Sequence, residues 1–248
     1  MLAAGLDGKA LSHSRPGMDR MNVTPSGWVF LALTCVFLPL MAIRTAVRVR
    51  QPGRTPTRVR HLASVFVTQA ITLPPALSAT RYDDIRLFPP PNLGAFNLAM
   101  VLAFLVPTLG TLPMRWSWKS EAEKRRMIWM LPHTSVDLWW WTIVALTAGI
   151  VEEIVYRGVM IGLWQRVLGS WWAAMMVCVV VFSLVHFLQG WYAMAAIALT
   201  ATAFHLIVRA TGDLYTAMTV HFLYDLIAGL VLLRCARRDG LLRMDASG

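Results

Sequence analysis

The feature that most limits this chain is a series of unbroken apolar runs. They read from about Trp28 to Ile43, Leu62 to Ala79, Leu93 to Leu112, Trp139 to Leu163, Trp171 to Leu188, Trp191 to Val208 and Leu214 to Leu233. Most approach the roughly 17–25 residues that carry a helix across a bilayer; the first is short. Leu, Val, Ala, Ile and Trp fill them without the alternation of a barrel strand. Lipid offers no partner to free backbone groups, so only helix bundles and closed barrels cross it. Composition agrees: 15% of residues are charged and 57% hydrophobic, where a soluble domain carries about 25% charged. The expected fold is all-α, a polytopic transmembrane helix bundle of about seven spans, within a range of six to eight.

Charges and helix breakers divide the chain. Residues 1–27 form a polar tail, expected to be disordered over its first 25 positions. Residues 28–135 hold the first three spans and their loops, 136–235 a bundle of the last four spans, and 236–248 a basic tail. Arg44, Arg48, Arg50, Arg54, Arg58 and Arg60 surround Pro52, Gly53 and Pro56 in one breaker-rich loop. Pro74 and Pro75 predict a kink or break in the second span. Lys119, Lys124, Arg125 and Arg126 share a linker with Glu121 and Glu123, and Arg234, Arg237, Arg238 and Arg243 end the chain. The strongly basic segments fall on one side if the amino terminus lies outside, as the positive-inside rule requires. This distribution accounts for the net charge of +10 and argues against nucleic acid as a partner. Cys35, Cys178 and Cys235 lie far apart in or beside apolar runs, which predicts small buried residues and no disulfide framework.

Against this background the last four spans hold Glu152, Glu153, Arg157, His186, His205, His221 and Asp225. A charge at bilayer depth costs about 2.5–3.5 kcal/mol. Four formal charges therefore cost on the order of 10 kcal/mol before pairing, comparable to a domain's net stability. Such groups pair with one another or line a wet cavity, and they mark function. Glu153 and Arg157 stand four apart on one helix face, acid first, as an ion pair prefers. Glu152 points about 100° away and is free to address another neighbour. His221 and Asp225 repeat the spacing, as do Phe182 and His186. His205 fits no motif and reads as structural, and the tryptophans read mainly as interfacial anchors. A free carboxylate with histidines suits water activation. The same donors, Glu152, His186, His221 and Asp225, suit a divalent metal such as zinc, and the absence of HExxH leaves both mechanisms open.

Three motifs then align in order. Glu152-Glu153-Ile154-Val155-Tyr156-Arg157, followed by Gly158, fits EExxxR; Phe182-Ser183-Leu184-Val185-His186 fits FxxxH; His221-Phe222-Leu223-Tyr224-Asp225 fits HxxxN/D. Thr211-Gly212-Asp213-Leu214-Tyr215 looks like the turn that precedes the last motif. The set resembles the CPBP family, which includes type II CAAX prenyl proteases and Abi bacteriocin-processing proteins, from about Asp137 to Leu233. The resemblance implies an intramembrane endopeptidase. Glu152 and His186 would activate water, His221 and Asp225 would support the oxyanion or the water, and Glu153, Arg157 and Phe182 would shape the site. Asp225 stands where the eukaryotic and archaeal CAAX enzymes typically have Asn, and an ionised carboxylate cannot donate to an oxyanion. The implied partner is a membrane-associated peptide or protein substrate, and the implied location a bacterial-type plasma membrane. A non-catalytic immunity or scaffold protein of the same fold is the alternative, with an ion-coupled transporter behind it.

Overall fold

The computed structural model describes residues 22–49, 51, 56–91 and 94–242. The expected disorder up to residue 21, Arg50, Arg54, Pro52 and Gly53 of the basic loop, Leu93 and Arg243 lie outside the described residues. Among the described residues the chain is helical and contains no strand. Six helices are long and apolar enough to cross a membrane: α1 (Pro25–Val49), α2 (Arg58–Tyr82), α3 (Ala95–Ser117), α5 (Ser135–Leu168), α7 (Trp191–Thr211) and α8 (Tyr215–Arg238). Two more are shorter: α4 (Glu121–Met130) and α6 (Trp171–Val185). The best apolar stretch of each long helix is only 22–44% buried, so most of its apolar surface faces outward. An apolar exterior of that extent needs lipid as its solvent, and the protein is an integral membrane protein.

The seventh expected span is the one that falls short. α6 has 15 residues, about 22 Å of rise against a hydrocarbon core of about 30 Å. It stops at His186, whose backbone leaves helical geometry; Phe187–Gln189 tightens into a 3₁₀ turn and Gly190 takes a φ of +92°. The span expected from Trp139 to about Leu163 is longer than predicted, at 34 residues. A capping box of Thr134 and Asp137 starts α5 early, and Gly169 ends it in the left-handed region. The linker after the third span contains α4, begun by the Ser120–Glu123 capping box. No break occurs at Pro74–Pro75: α2 runs through both prolines, with Thr72, Ala76 and Ala79 buried against its neighbours.

Polar staples set how the helices meet. Asp83, at the end of α2, accepts bonds from the backbone N–H and hydroxyl of Thr24 at 2.9 and 2.7 Å and faces Arg166 of α5 at 3.7 Å. Arg58 reaches Asp137 at 3.2 Å, tying the start of α2 to the start of α5. In the turn between α7 and α8, Gly212 ends one helix and Asp213 caps the next through Thr216, while Asn97 of α3 donates to Asp213 at 2.9 Å. A small second core of Trp116, Ile128, Cys235, Ala236 and Leu241 packs α4 on the end of α8. There the Trp116 indole and then the Lys124 ammonium hold the Asp239 carboxyl below its usual range. That tie is present above the ordinary carboxylate pKa and is lost as pH falls through the lowered value. The three cysteines are free thiols; Cys178 and Cys235 are buried as expected, and Cys35 is half-buried.

One close approach decides the site. A methyl group at Gly149 of α5 would lie 3.0 Å from the Met218 carbonyl and the Phe222 amide of α8. Small residues let membrane helices approach backbone to backbone. Glu152 and Glu153 follow one turn later, so this contact carries them to His221. Gly149→Val is expected to destabilise the bundle by about 1–3 kcal/mol through overpacking. It should also cut turnover by about 100-fold through displacement of the carboxylates. Wild-type thermal stability and turnover in this variant would show that the approach is not needed.

Candidate active site

The segment Glu153–Met160 of α5 is π-helical, a turn closed by i→i+5 hydrogen bonds that recurs at functional sites. Glu153 and Arg157 meet there at 3.1 Å, both without solvent exposure of the side chain. The Arg157 guanidinium lies 4.5 Å from the Phe182 ring and 5.2 Å from the Phe204 ring. Desolvated cation–π contacts of this kind are worth about 2 kcal/mol or more, which offsets part of the cost of burying the charge. Phe182 also meets Tyr156 edge-on at 4.8 Å and the His186 ring at 4.6 Å. It is the wall that α6 sets against α5, a larger part than its spacing to His186 suggested.

His221 of α8 sits at the centre. Its Nδ1 lies 2.8 Å from Glu153 Oε1, while its Nε2 faces Asp225 at 3.4 Å and Glu152 at 3.8 Å. The helical spacing pointed to Asp225 as the partner of His221; the shorter contact is the long-range one to Glu153. Exposure rises across the cluster, from 0% for the Glu153 side chain to 8% for His221, 20% for Glu152 and 34% for Asp225. The framework acid is enclosed, and the open side of the cluster is the one that Glu152 and Asp225 share. Glu152 lies near the midpoint of the 34-residue α5, and the centre of a span is where an unpaired charge is most costly.

His186 stands apart from this group. It occupies the end of α6, where its Nδ1–H donates to the Phe182 carbonyl at 2.7 Å. That bond assigns the tautomer and leaves Nε2 as the acceptor. Among the described residues His186 makes no hydrogen bond or ion pair with Glu152. His205, which fits no motif, is buried beside Trp171. Of the four candidate metal donors, Glu152, His221 and Asp225 lie together and His186 stands apart; no group of three or more His, Cys, Asp or Glu side chains with the geometry of a metal site occurs among the described residues.

Two contributors escaped the sequence. Gln69 of α2, 5% exposed, faces Glu152 Oε1 with its Nε2 at 3.5 Å and accepts a bond from the Thr147 hydroxyl through its own oxygen. A buried amide in an apolar span is the signal that could have found it. Trp141, grouped with the interfacial tryptophans, instead donates its indole N–H to the Asp225 carbonyl at 3.2 Å. It lies so close to α8 that a methyl group at Gly229 would meet the indole at 2.6 Å. Trp139, 72% exposed, does face outward as an anchor should. Gln69→Leu is expected to lower turnover about tenfold by freeing the Glu152 side chain, with thermal stability nearly kept. Rescue by Gln69→Asn would contradict a requirement for the reach of the longer amide.

A buried acid–histidine–arginine cluster thus lies near the middle of the longest helix of a polytopic helix bundle. Residues 134–227, which contain all three motifs, match the model of a family described as Rce1-like, type II CAAX prenyl endopeptidase. The resemblance carried by EExxxR, FxxxH and HxxxD thus extends over that whole segment. Comparison with curated proteins gave no match, and comparison with solved structures gave none.

Proposed function

We propose that the chain is an intramembrane endopeptidase that hydrolyses a peptide bond in a membrane-associated protein through water activated by Glu152. The observation that carries this is the split between the acids: Glu153 is enclosed and bonded to Arg157 and His221, while Glu152 stands partly open beside them. As water attacks the scissile carbonyl carbon, a water proton passes to the Glu152 carboxylate and the carbonyl becomes an oxyanion. The carbon–nitrogen bond then breaks, and the Glu152 carboxylic acid returns the proton to the leaving amine. Glu153 fixes the His221 ring through Nδ1, so Nε2 is the ring atom left to face the reacting centre. His186 has the role its motif implies, with Nε2 accepting from a water hydrogen. Asp225 orients His221 and borders the open side. Arg157 and Phe182 hold the framework.

The family description speaks of CAAX prenyl substrates, and a lipidated carboxy-terminal segment is one substrate class that a lateral, mid-span site could take. A bacterial-type plasma membrane is the proposed location, in keeping with the arginine-rich loops. Membranes carrying wild type or Glu152→Gln should be compared by terminal proteomics. Proteins with termini shifted in the wild type alone identify substrates, and identical termini in both would overturn the proposal. Cleavage of an identified substrate should persist in EDTA. Loss in EDTA with recovery on added zinc would replace the glutamate-only mechanism by a metal-assisted one.

A further inference from the structure

A cavity of about 320 Å³ opens between the start of α5 and the end of α8, far along both helices from the acid cluster. One part is apolar, lined by Pro132, Leu138, Leu230 and Leu233. The other part is polar, lined by Thr134, Ser135, Arg234 and Arg237 together with His133. Trp139, an exposed tryptophan one turn into α5, marks this end of the bundle as the boundary between hydrocarbon and water.

Local charge bookkeeping leaves the two arginines in excess. Asp137 is the nearest acid on α5, and it is already engaged by Arg58 and by the amides of His133 and Thr134. Asp239 is held by Trp116 and Lys124. Arg234 and Arg237 are exposed, and their side chains have no hydrogen bond or ion pair among the described residues. Asp137 takes the amides of His133 and Thr134, and Thr134 takes the Asp137 amide, so the guanidinium groups are the charged donors left on this rim. Guanidinium forks match phosphate oxygens with paired hydrogen bonds, and the Ser135 hydroxyl adds a donor.

We infer that this cavity is a binding site for an anionic phospholipid, its headgroup phosphate held by Arg234 and Arg237 and the upper part of a chain lying along Leu138, Leu230 and Leu233. The combination of a basic rim and an apolar floor fits an amphiphile better than a free ion. Basic pockets between membrane helices recognise such headgroups. The inference does not depend on the peptidase reading, since none of these residues belongs to the acid cluster.

The test uses the full chain in mild detergent, mixed with equal amounts of phosphatidylglycerol and phosphatidylcholine, with retained lipid counted by native mass spectrometry. Wild type should retain phosphatidylglycerol preferentially. The pair Arg234→Gln and Arg237→Gln should lower that retention by about 30-fold, at the strength of two basic contacts to an anionic surface. Arg238→Gln carries the same charge change per residue outside the cavity lining and should leave retention unchanged. Equal retention of the two lipids, full retention in the double variant, or an equal loss in Arg238→Gln would each overturn the site. Inorganic phosphate should not displace the bound lipid; displacement would show a phosphate site and overturn the lipid assignment.

Discussion

Glu152→Gln is expected to lower peptide-bond hydrolysis by about 10²–10⁴-fold, the usual contribution of a positioned general base, without shifting the melting temperature of the purified protein. The amide has the shape of the carboxylate but cannot take the proton from water. Stability should hold because Glu152 contributes little to the framework. Its contacts are long, 3.5 Å to Gln69 and 3.8 Å to His221, and part of its side chain already meets solvent. Losing a charge at mid-span also removes a burial cost, which offsets the loss of these weak contacts. The measurement pairs turnover of an identified substrate with thermal unfolding. Turnover within a few-fold of wild type would remove Glu152 from the reaction. A drop in melting temperature matching the loss of activity would make it a framework residue like Glu153.

The separation of the two acids was legible in the sequence because it follows from local helix geometry. Glu153 and Arg157 are near in sequence and near in space, so the pair could be read directly. The apolar runs likewise announced their helices, since length and composition alone identify a span. What the sequence hid depends on contacts between elements or on departures from regular geometry. The 2.8 Å link from Glu153 to His221 joins α5 to α8 and has no sequence spacing. It needs Gly149, whose value lies only in what stands opposite it. The π turn that carries Glu153 and Arg157 leaves no mark in a hydrophobic pattern, and the early end of α6 at His186 interrupts a run that stays apolar to Leu188. α4 was hidden by its own composition, because its charged residues read as a linker while its Ser120–Glu123 cap makes it a helix.

Glu153→Ala should behave in the opposite way to Glu152→Gln, with a loss of about 3–5 kcal/mol of stability, the cost of breaking a buried ion pair from one side. The carboxylate has no exposed surface and holds two partners at once, Arg157 at 3.1 Å and His221 at 2.8 Å. Removing it leaves a guanidinium with no carboxylate partner inside an apolar bundle. Two aromatic faces, Phe182 and Phe204, cover that charge but accept no proton from it, so they soften the penalty without abolishing it. The Arg157 charge can be removed together with its partner. The double variant Glu153→Met with Arg157→Met should therefore recover much of the stability lost in Glu153→Ala, because buried pairs replaced by apolar groups of similar volume are often neutral. Activity should not return with stability, since His221 would still lack the carboxylate that orients it. Thermal unfolding of the single and double variants, run beside the cleavage assay, separates the two roles. Recovery of both quantities in the double variant would mean that Glu153 serves only to neutralise Arg157. Recovery of stability alone would identify Glu153 as the residue that positions His221 for the reaction beside Glu152.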